Sequence, residues 1–259
     1  MSPHPVEGPA PHDLLPELAS YRRPTTLLRP KQGSPGVRES SLGGPVLWPA
    51  DEPWPHCDRP GHLADFSGLP VGRIPMVPVL QLFARDVAQL RFPDGKDVLQ
   101  ILWCPLLHPD DEVKVSRPSL HWRAETDVPA TKVLDDVPAP GEGEYYDEFI
   151  PRPCTVSPSV DTDYANMDLP RDLLKDLPEP ALDAVEELLG RCHETKVGGY
   201  PAWNQEPDWP DCARGHRMEH LLSITADDEH DMVMGDAGGV YFFLCRRCPE
   251  LPYAHRYDC

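Results

Sequence analysis

Four residues of this chain have the identity and spacing of metal ligands: Cys212 and His216 in WPDCARGH, and Cys245 and Cys248 in FFLCRRC. A C-x2-C turn sets two thiolates side by side, and a second knuckle about 30 residues away completes the tetrahedron that zinc prefers. The chemistry expected of such a zinc is structural. Four protein ligands leave no position open for water, and Glu219 is a lone carboxylate beside the first knuckle, too little for metal-assisted catalysis. Arg246 and Arg247 would offset thiolate charge. The plainer alternative is that these cysteines are simply small buried residues. Cys259 is a competing ligand should His216 point away, whereas Cys154 and Cys192 have no partner at ligand spacing and read as buried thiols.

A looser version of the set occurs earlier, as Cys57-x4-His62 and Cys104-x3-His108. Here the plainer alternative, a core cysteine behind Trp103 with histidines on loops, competes more strongly. The parallel extends beyond ligands. GGPVLW, WPHC, MVPVLQL and DGKDVLQILWC are answered by GGYPAW, WPDC, MEHLLSI and DAGGVYFFLC. Gly44, Trp48 and Cys57 precede Gly199, Trp203 and Cys212 by 155 residues, and Met76, Leu82, Asp94 and Val98 precede Met218, Ile224, Asp236 and Val240 by 142. One indel of 13 residues reconciles the two offsets. The chain therefore reads as two copies of one unit, with metal in both copies or in one.

The elements that must position these residues are short. Met76–Leu82, Val98–Trp103, Met218–Ile224 and Val240–Leu244 are apolar and branched, as buried strands are. Val113–Val115 and Leu120–Arg123 are further strand candidates. Asp13 suits the cap of a short helix running to Tyr21, with Leu14, Leu15 and Leu18 on one face. Residues 180–190 are the clearest helix: Pro180 in the first turn, an apolar stripe of Leu182, Val185, Leu188 and Leu189, and Gly190 as the stop. Residues 30–45 and 138–149 read as loops. The fold class expected is α+β, mostly antiparallel β, with two pseudo-repeated halves packed together and a connecting helix. Its segments are an N-terminal extension (1–42), the first copy plus an irregular insertion (43–165), and connecting helices plus the second copy (166–259), or all three as one compact domain.

Composition narrows the function. Pro supplies 34 of 259 residues, which favours short elements and edge strands. The net charge of −19 disfavours nucleic acid and anionic membranes, whose partners present basic faces; a basic protein partner suits it better. No apolar run is long enough to span a bilayer, and MSPHPVEGPAPHDLL lacks the features of a secretory signal. A cytosolic location is expected, where eight cysteines are thiols or ligands rather than disulfides. There is no G-x-S-x-G, H-E-x-x-H, P-loop or G-x-G-x-x-G. Asp94 and Asp236 occupy equivalent places and could form an acid–base pair, but each heads a Gly-containing turn, the stronger reading. DDEHD at 227–231 lacks Ca-loop spacing and reads as a solvated loop. Trp48 and Trp203 read as core anchors, and the Gly43-Gly44 and Gly198-Gly199 pairs as backbone geometry.

GGPVLWPADEPWPHC, PMVPVLQL, VLQILWCP, KVGGYPAW, WPDC, MEHLL and GDAGGVYFFLCRRCP resemble the YwqG-like family of bacterial proteins, in particular its actinobacterial branch, and more distantly the programmed-cell-death-protein-2 group. The resemblance covers roughly residues 40–259. It implies an α+β, mostly antiparallel fold, a cytosolic bacterial location and no established activity. Relatives often carry C-x-C-G where this chain has Cys212-Ala-Arg-Gly, so Arg214 stands at the second cysteine and the site depends on His216. The function expected is a non-enzymatic binding or scaffold module with a structural zinc. The alternatives are an enzyme with Asp94 and Asp236 in a cleft between the halves, or a C-x2-C redox or zinc sensor. The sensor is disfavoured because its cysteines end a strand and precede Pro249 rather than opening a helix.

Overall fold

The computed structural model describes residues 10–63, 72–111, 113, 115–175, 177–189, 193–235 and 238–259. The strands are β1 (Arg22–Leu27), β2 (Pro30–Gln32), β3 (Ser41–Leu42), β4 (His56–Cys57), β5 (Ile74–Pro75), β6 (Val77–Phe83) and β7 (Val98–Cys104). They continue as β8 (Arg117–Arg123), β9 (Cys154–Val156), β10 (Ser159–Tyr164), β11 (Lys196–Gly198), β12 (Glu219–Thr225), β13 (Gly239–Leu244) and β14 (Tyr253–Asp258). The α-helices are α1 (Pro11–Leu14), α2 (Arg171–Leu174) and α3 (Glu179–Leu189). One six-stranded antiparallel sheet has the order β2-β9-β3-β6-β7-β8, a second β10-β1-β11-β12-β13-β14, and β4 pairs with β5 alone. The class is thus α+β and mostly antiparallel β.

The apolar runs are the central strands. Every residue of β7 and β13 is buried, as expected where both faces of a sheet are covered. The largest core cluster takes Leu82, Ile101 and Trp103 from one sheet and Val197, Ile224 and Phe242 from the other. The outer face of the second sheet is covered by α3 and the N-terminal turns: Val185 and Leu189 meet Leu18, Tyr164 and Tyr200.

The repeat is legible in the backbone. Ser41 and Leu42 oppose Gln81 and Leu80; Lys196 and Val197 oppose Ser223 and Leu222, at the offsets of 155 and 142 seen in the sequence. The β6–β7 ladder slips between Pro78 and Leu80, and the β12–β13 ladder slips between His220 and Leu222, the same place. Gly43 and Gly198 have φ of 76° and 73°. A Cβ on Gly43 would lie 2.4 Å from the carbonyl oxygen of Arg152, so glycine there serves a backbone contact.

A ribbon joins the sheets. β1 opposes β10 from Arg22↔Tyr164 to Leu27↔Ser159, and the same register continues as β2 on β9, from Pro30↔Val156 to Gln32↔Cys154. The first pair of strands lies in the second sheet and the other pair in the first sheet. A strand from the N-terminal extension therefore lies against β11 of the second copy.

Several elements depart from expectation. Residues 30–45, read as a loop, include β2 and β3. Pro16 ends α1 after one turn, and a 3-10 helix follows over Pro16–Tyr21. Asp13 is not its cap but sits within it, accepting from the amide of Ala10 at 3.0 Å. Val113 and Val115 lie outside any strand, Lys114 lies outside the described residues, and Leu120–Arg123 falls within β8. Gly190 and Cys192 lie outside the described residues. No helix among the described residues is long and apolar enough to cross a membrane.

One buried ion pair ties the ribbon to the second copy. Lys196 Nζ lies 2.6 Å from Asp163 Oδ2, with side-chain exposures of 1% and 2%. Asp163 also accepts from the amide of Tyr200 at 2.8 Å. Removing one partner strands a buried charge. Lys196→Met should therefore lower the free energy of unfolding by about 3–5 kcal/mol in urea titrations, whereas Glu250→Ala, breaking the exposed pair with Arg214, should cost less than about 1 kcal/mol.

Candidate metal centres

Cys212 and His216 sit on the turn that leads into β12. The turn closes through the Gly215 amide on the Cys212 carbonyl at 2.7 Å and the Cys212 amide on the His216 carbonyl at 2.9 Å. Gly215 has a φ of 75°, a conformation that side chains disfavour. Cys245 leaves the end of β13, and its amide bonds to the Pro252 carbonyl at 2.9 Å. The two turns meet. Cys212 Sγ lies 3.9 Å from Cys248 Sγ, and His216 Nδ1 lies 3.7 Å from Cys245 Sγ and 3.4 Å from Cys248 Sγ. All ligand atoms of the four residues lie within 4.8 Å of one another. Arg214 turns away to Glu250 at 2.8 Å. Cys259 is not in this set; it packs beside Gly235, where an added Cβ would fall 2.4 Å from its own.

The first copy assembles the equivalent group. Cys57 ends β4, His62 follows Gly61 at φ 81°, Cys104 ends β7, and His108 lies four residues on. Cys57 Sγ is 3.4 Å from His108 Nε2, and Cys104 Sγ is 3.9 Å from His62 Nδ1. All four side chains are buried, with ligand atoms again within 4.8 Å of one another. Carbonyls orient both histidines: His62 Nε2 donates to Gly72 at 2.6 Å and His108 Nδ1 donates to Val115 at 3.0 Å. A carbonyl only accepts, so the proton resides on that nitrogen and the other presents its lone pair to the thiols, the arrangement by which outer partners fix a ligating histidine. The spacing is looser than in the second copy, yet the burial is more complete.

Electrostatics separate the thiols within each group. The hydrogen bond from the Cys104 thiol, the largest effect, holds Cys57 far below the ordinary thiol range, to about 3, against the opposing effect of burial. Cys104 is raised correspondingly, by that same hydrogen bond and by burial. In the second group burial opposes ionisation of Cys212, but the amides of His216 and Arg214 and the thiols of Cys245 and Cys248 hold it low. Burial, then hydrogen bonding to Cys245 and Cys212, pushes Cys248 up to about 11. Cys57 thus ionises before Cys104, and Cys212 before Cys248, and a cation would displace the protons that remain. These two buried Cys/His groups could hold a metal ion.

The remaining expected site residues stay apart. Asp94 is exposed on a turn, with Gly95 at φ 71° and the Lys96 amide bonded to the Pro93 carbonyl at 3.0 Å; Asp236 lies outside the described residues. Cys154 is buried against the Glu229 carbonyl. The DDEHD segment is a turn, closed by an Asp227↔Met232 bridge. Trp48 and Trp203 are core residues, 0% and 3% exposed. The residues not foreseen are Gly61 and Gly215, which precede the ligand histidine in both copies, and the carbonyls of Gly72 and Val115. The glycines were open to detection, since Gly-His recurs in the repeat; no local pattern marks the carbonyls.

A family model described as a domain of unknown function (DUF1963) matches residues 40–247. No curated protein matches the chain.

Three further histidines, His220 buried and His121 and His255 half-buried, lie outside the metal groups. Burial, reinforced by neighbouring cations, pushes His220 down to about 3 and His121 and His255 to about 4. The unfolded chain binds these protons near pH 6.5, whereas the folded chain excludes them until well below. Stability is therefore full above about pH 6.5 and declines as pH falls towards 4. Urea midpoints between about pH 7.5 and about pH 4.5 should show that decline, made shallower by His255→Gln. A profile flat to pH 4.5 would contradict the assignment.

Proposed function

Because the chain belongs to the DUF1963 family, whose description carries no activity, its function must be argued from its own residues, and we propose that it is a zinc-pinned binding module. Zinc bound at Cys57, His62, Cys104 and His108, and at Cys212, His216, Cys245 and Cys248, supplies a structural cross-link in each copy. The observation that carries this reading is distance. Zn–S near 2.3 Å and Zn–N near 2.0–2.1 Å give tetrahedral edges of about 3.8 Å between sulfurs and about 3.6 Å between sulfur and nitrogen. Five ligand contacts in the two groups run from 3.4 to 3.9 Å, and all ligand atoms of each group lie within 4.8 Å of one another. Cysteine and imidazole also suit zinc better than they suit calcium or magnesium.

The donor sets favour structure over catalysis. Each supplies four ligands, and a hydrolytic zinc keeps one position open. The exposed turn at Asp94 gives no support to an acid–base cleft. The C-x2-C pair ends a strand, where no helix dipole sharpens a redox thiol. The partner in this reading is a protein with a basic surface, suited to a net charge of −19. The cytosolic bacterial location and the YwqG-like affinity belong to the same proposal.

Elemental analysis and native mass spectrometry of protein purified without chelator should find two zinc ions per chain. Cys245→Ser/Cys248→Ser should lose one, Cys57→Ser/Cys104→Ser the other, and each loss should lower the thermal midpoint. Arg214→Ala should keep both ions and His216→Ala should lose one. Protein that carries no zinc, or keeps two in the serine variants, would overturn the reading.

A further inference from the structure

The second copy holds polar and aromatic residues that the shared fold does not require. A cavity of about 810 Å³ opens where β1, the Gly198-Gly199 turn and the start of β12 meet, lined by Arg23, Tyr200, Trp209, Arg217, Glu219 and His220 among others. That volume is in the range of small-molecule sites. The repeat supplies an internal control. By the offsets of 155 and 142, Tyr200, Arg217, Glu219 and His220 correspond to Pro45, Pro75, Val77 and Pro78. Gly43 abuts the Arg152 carbonyl as Gly198 abuts that of Pro24, so Arg23 corresponds to Pro151. The first copy builds the same strands, slip and turns with proline and valine at these places.

The tryptophans diverge too. Trp54 turns inward, donating to the Met76 carbonyl at 2.8 Å and packing on Trp48, and is 6% exposed. Its counterpart Trp209 is half-buried and donates instead to Asp168 Oδ1 at 2.6 Å.

Charge partners single out one group. Arg91 pairs with Glu219 at 2.9 Å, Arg217 pairs with Asp211 at 2.8 Å, and Asp168 receives Trp209. Arg23 has no carboxylate at ion-pair distance among the described residues. Its guanidinium lies 4.0 Å over the Tyr200 ring and 6.0 Å from that of Trp209, which holds the fork flat while leaving its N–H edges free. The support is rigid, since the Tyr200 amide is bonded to Asp163, itself clamped by Lys196. Such a preorganised guanidinium beside aromatic faces suits bidentate recognition of an oxyanion on a flat ligand.

We propose that this cavity binds a small ligand with an aromatic or similarly flat body and a carboxylate or phosphate group, the anion on Arg23 and the body against Tyr200 and Trp209. The test is a titration of the full-length, metal-replete protein followed by the indole N–H resonance of Trp209. Phenyl phosphate and benzoate are the probes, and benzylamine, the same ring with the opposite charge, is the control. At least one anion should shift the resonance saturably, the stronger of the two naming the oxyanion. Benzylamine should not. Arg23→Gln should weaken binding at least tenfold while leaving the thermal midpoint and metal content at wild-type values, as befits an exposed side chain. Tyr200→Leu should weaken it too. No shift with either anion, equal binding of benzylamine, or unchanged affinity in Arg23→Gln would each overturn the proposal.

Discussion

Everything in this fold hangs from the ribbon of β1–β2 on β9–β10. Its single antiparallel register runs out of one sheet and into the other, so the two sheets cannot be placed independently. β11 docks on β1 and β3 docks on β9. Those short strands in turn seat β12 and β6, whose hairpins end at Cys245 and Cys104. Gly43 after β3 abuts the Arg152 carbonyl just before β9, where a Cβ would fall 2.4 Å from the oxygen, and a Cβ on Gly198 at the end of β11 would fall 3.1 Å from the Pro24 carbonyl oxygen of β1. A side chain would block the first approach and crowd the second. The strand-end ligands Cys104 and Cys245 are thus positioned by backbone pairing several strands away.

The knuckles themselves are weakly held by backbone alone. β4 and β5 share a two-residue ladder, and the matching segment in the second copy is a single Asp211↔Arg217 bridge. Hairpins this short are marginal without further support. In the proposed reading the ions provide it, tying each knuckle to the end of a fully buried strand. The aromatic packing of Trp203 on Tyr241 and Phe243 does related work in the second copy.

The sequence made the ligand groups and the central hairpins legible for one reason: both are written locally and written twice. Cys, His and apolar runs recur at fixed offsets, so even His216, standing beside a departure from the usual knuckle, was identifiable as a ligand candidate. The ribbon was not legible. RRPTTL and SVDTDY carry polar and proline residues along exposed faces, and their pairing depends on partners more than a hundred residues away. β14 was hidden likewise, because YAHRYD is half-buried at an edge. The Lys196–Asp163 pair joins two strands that no local pattern relates, and the Gly72 and Val115 carbonyls are backbone groups that any residue offers.

The ribbon also sets a timetable for the chain during its synthesis. β1 ends at Leu27, but β11, which must pair with it, begins at Lys196. At roughly 5–20 residues per second, the strand leaves the ribosome on the order of 10–30 s before that neighbour exists. An unpaired edge is a template for mispairing. The outer half of β1 is Arg22, Arg23 and Pro24, two charges and a residue that cannot donate to a ladder, the residue types that keep an exposed strand from joining a stranger's sheet. The first strand of the fold is composed to wait.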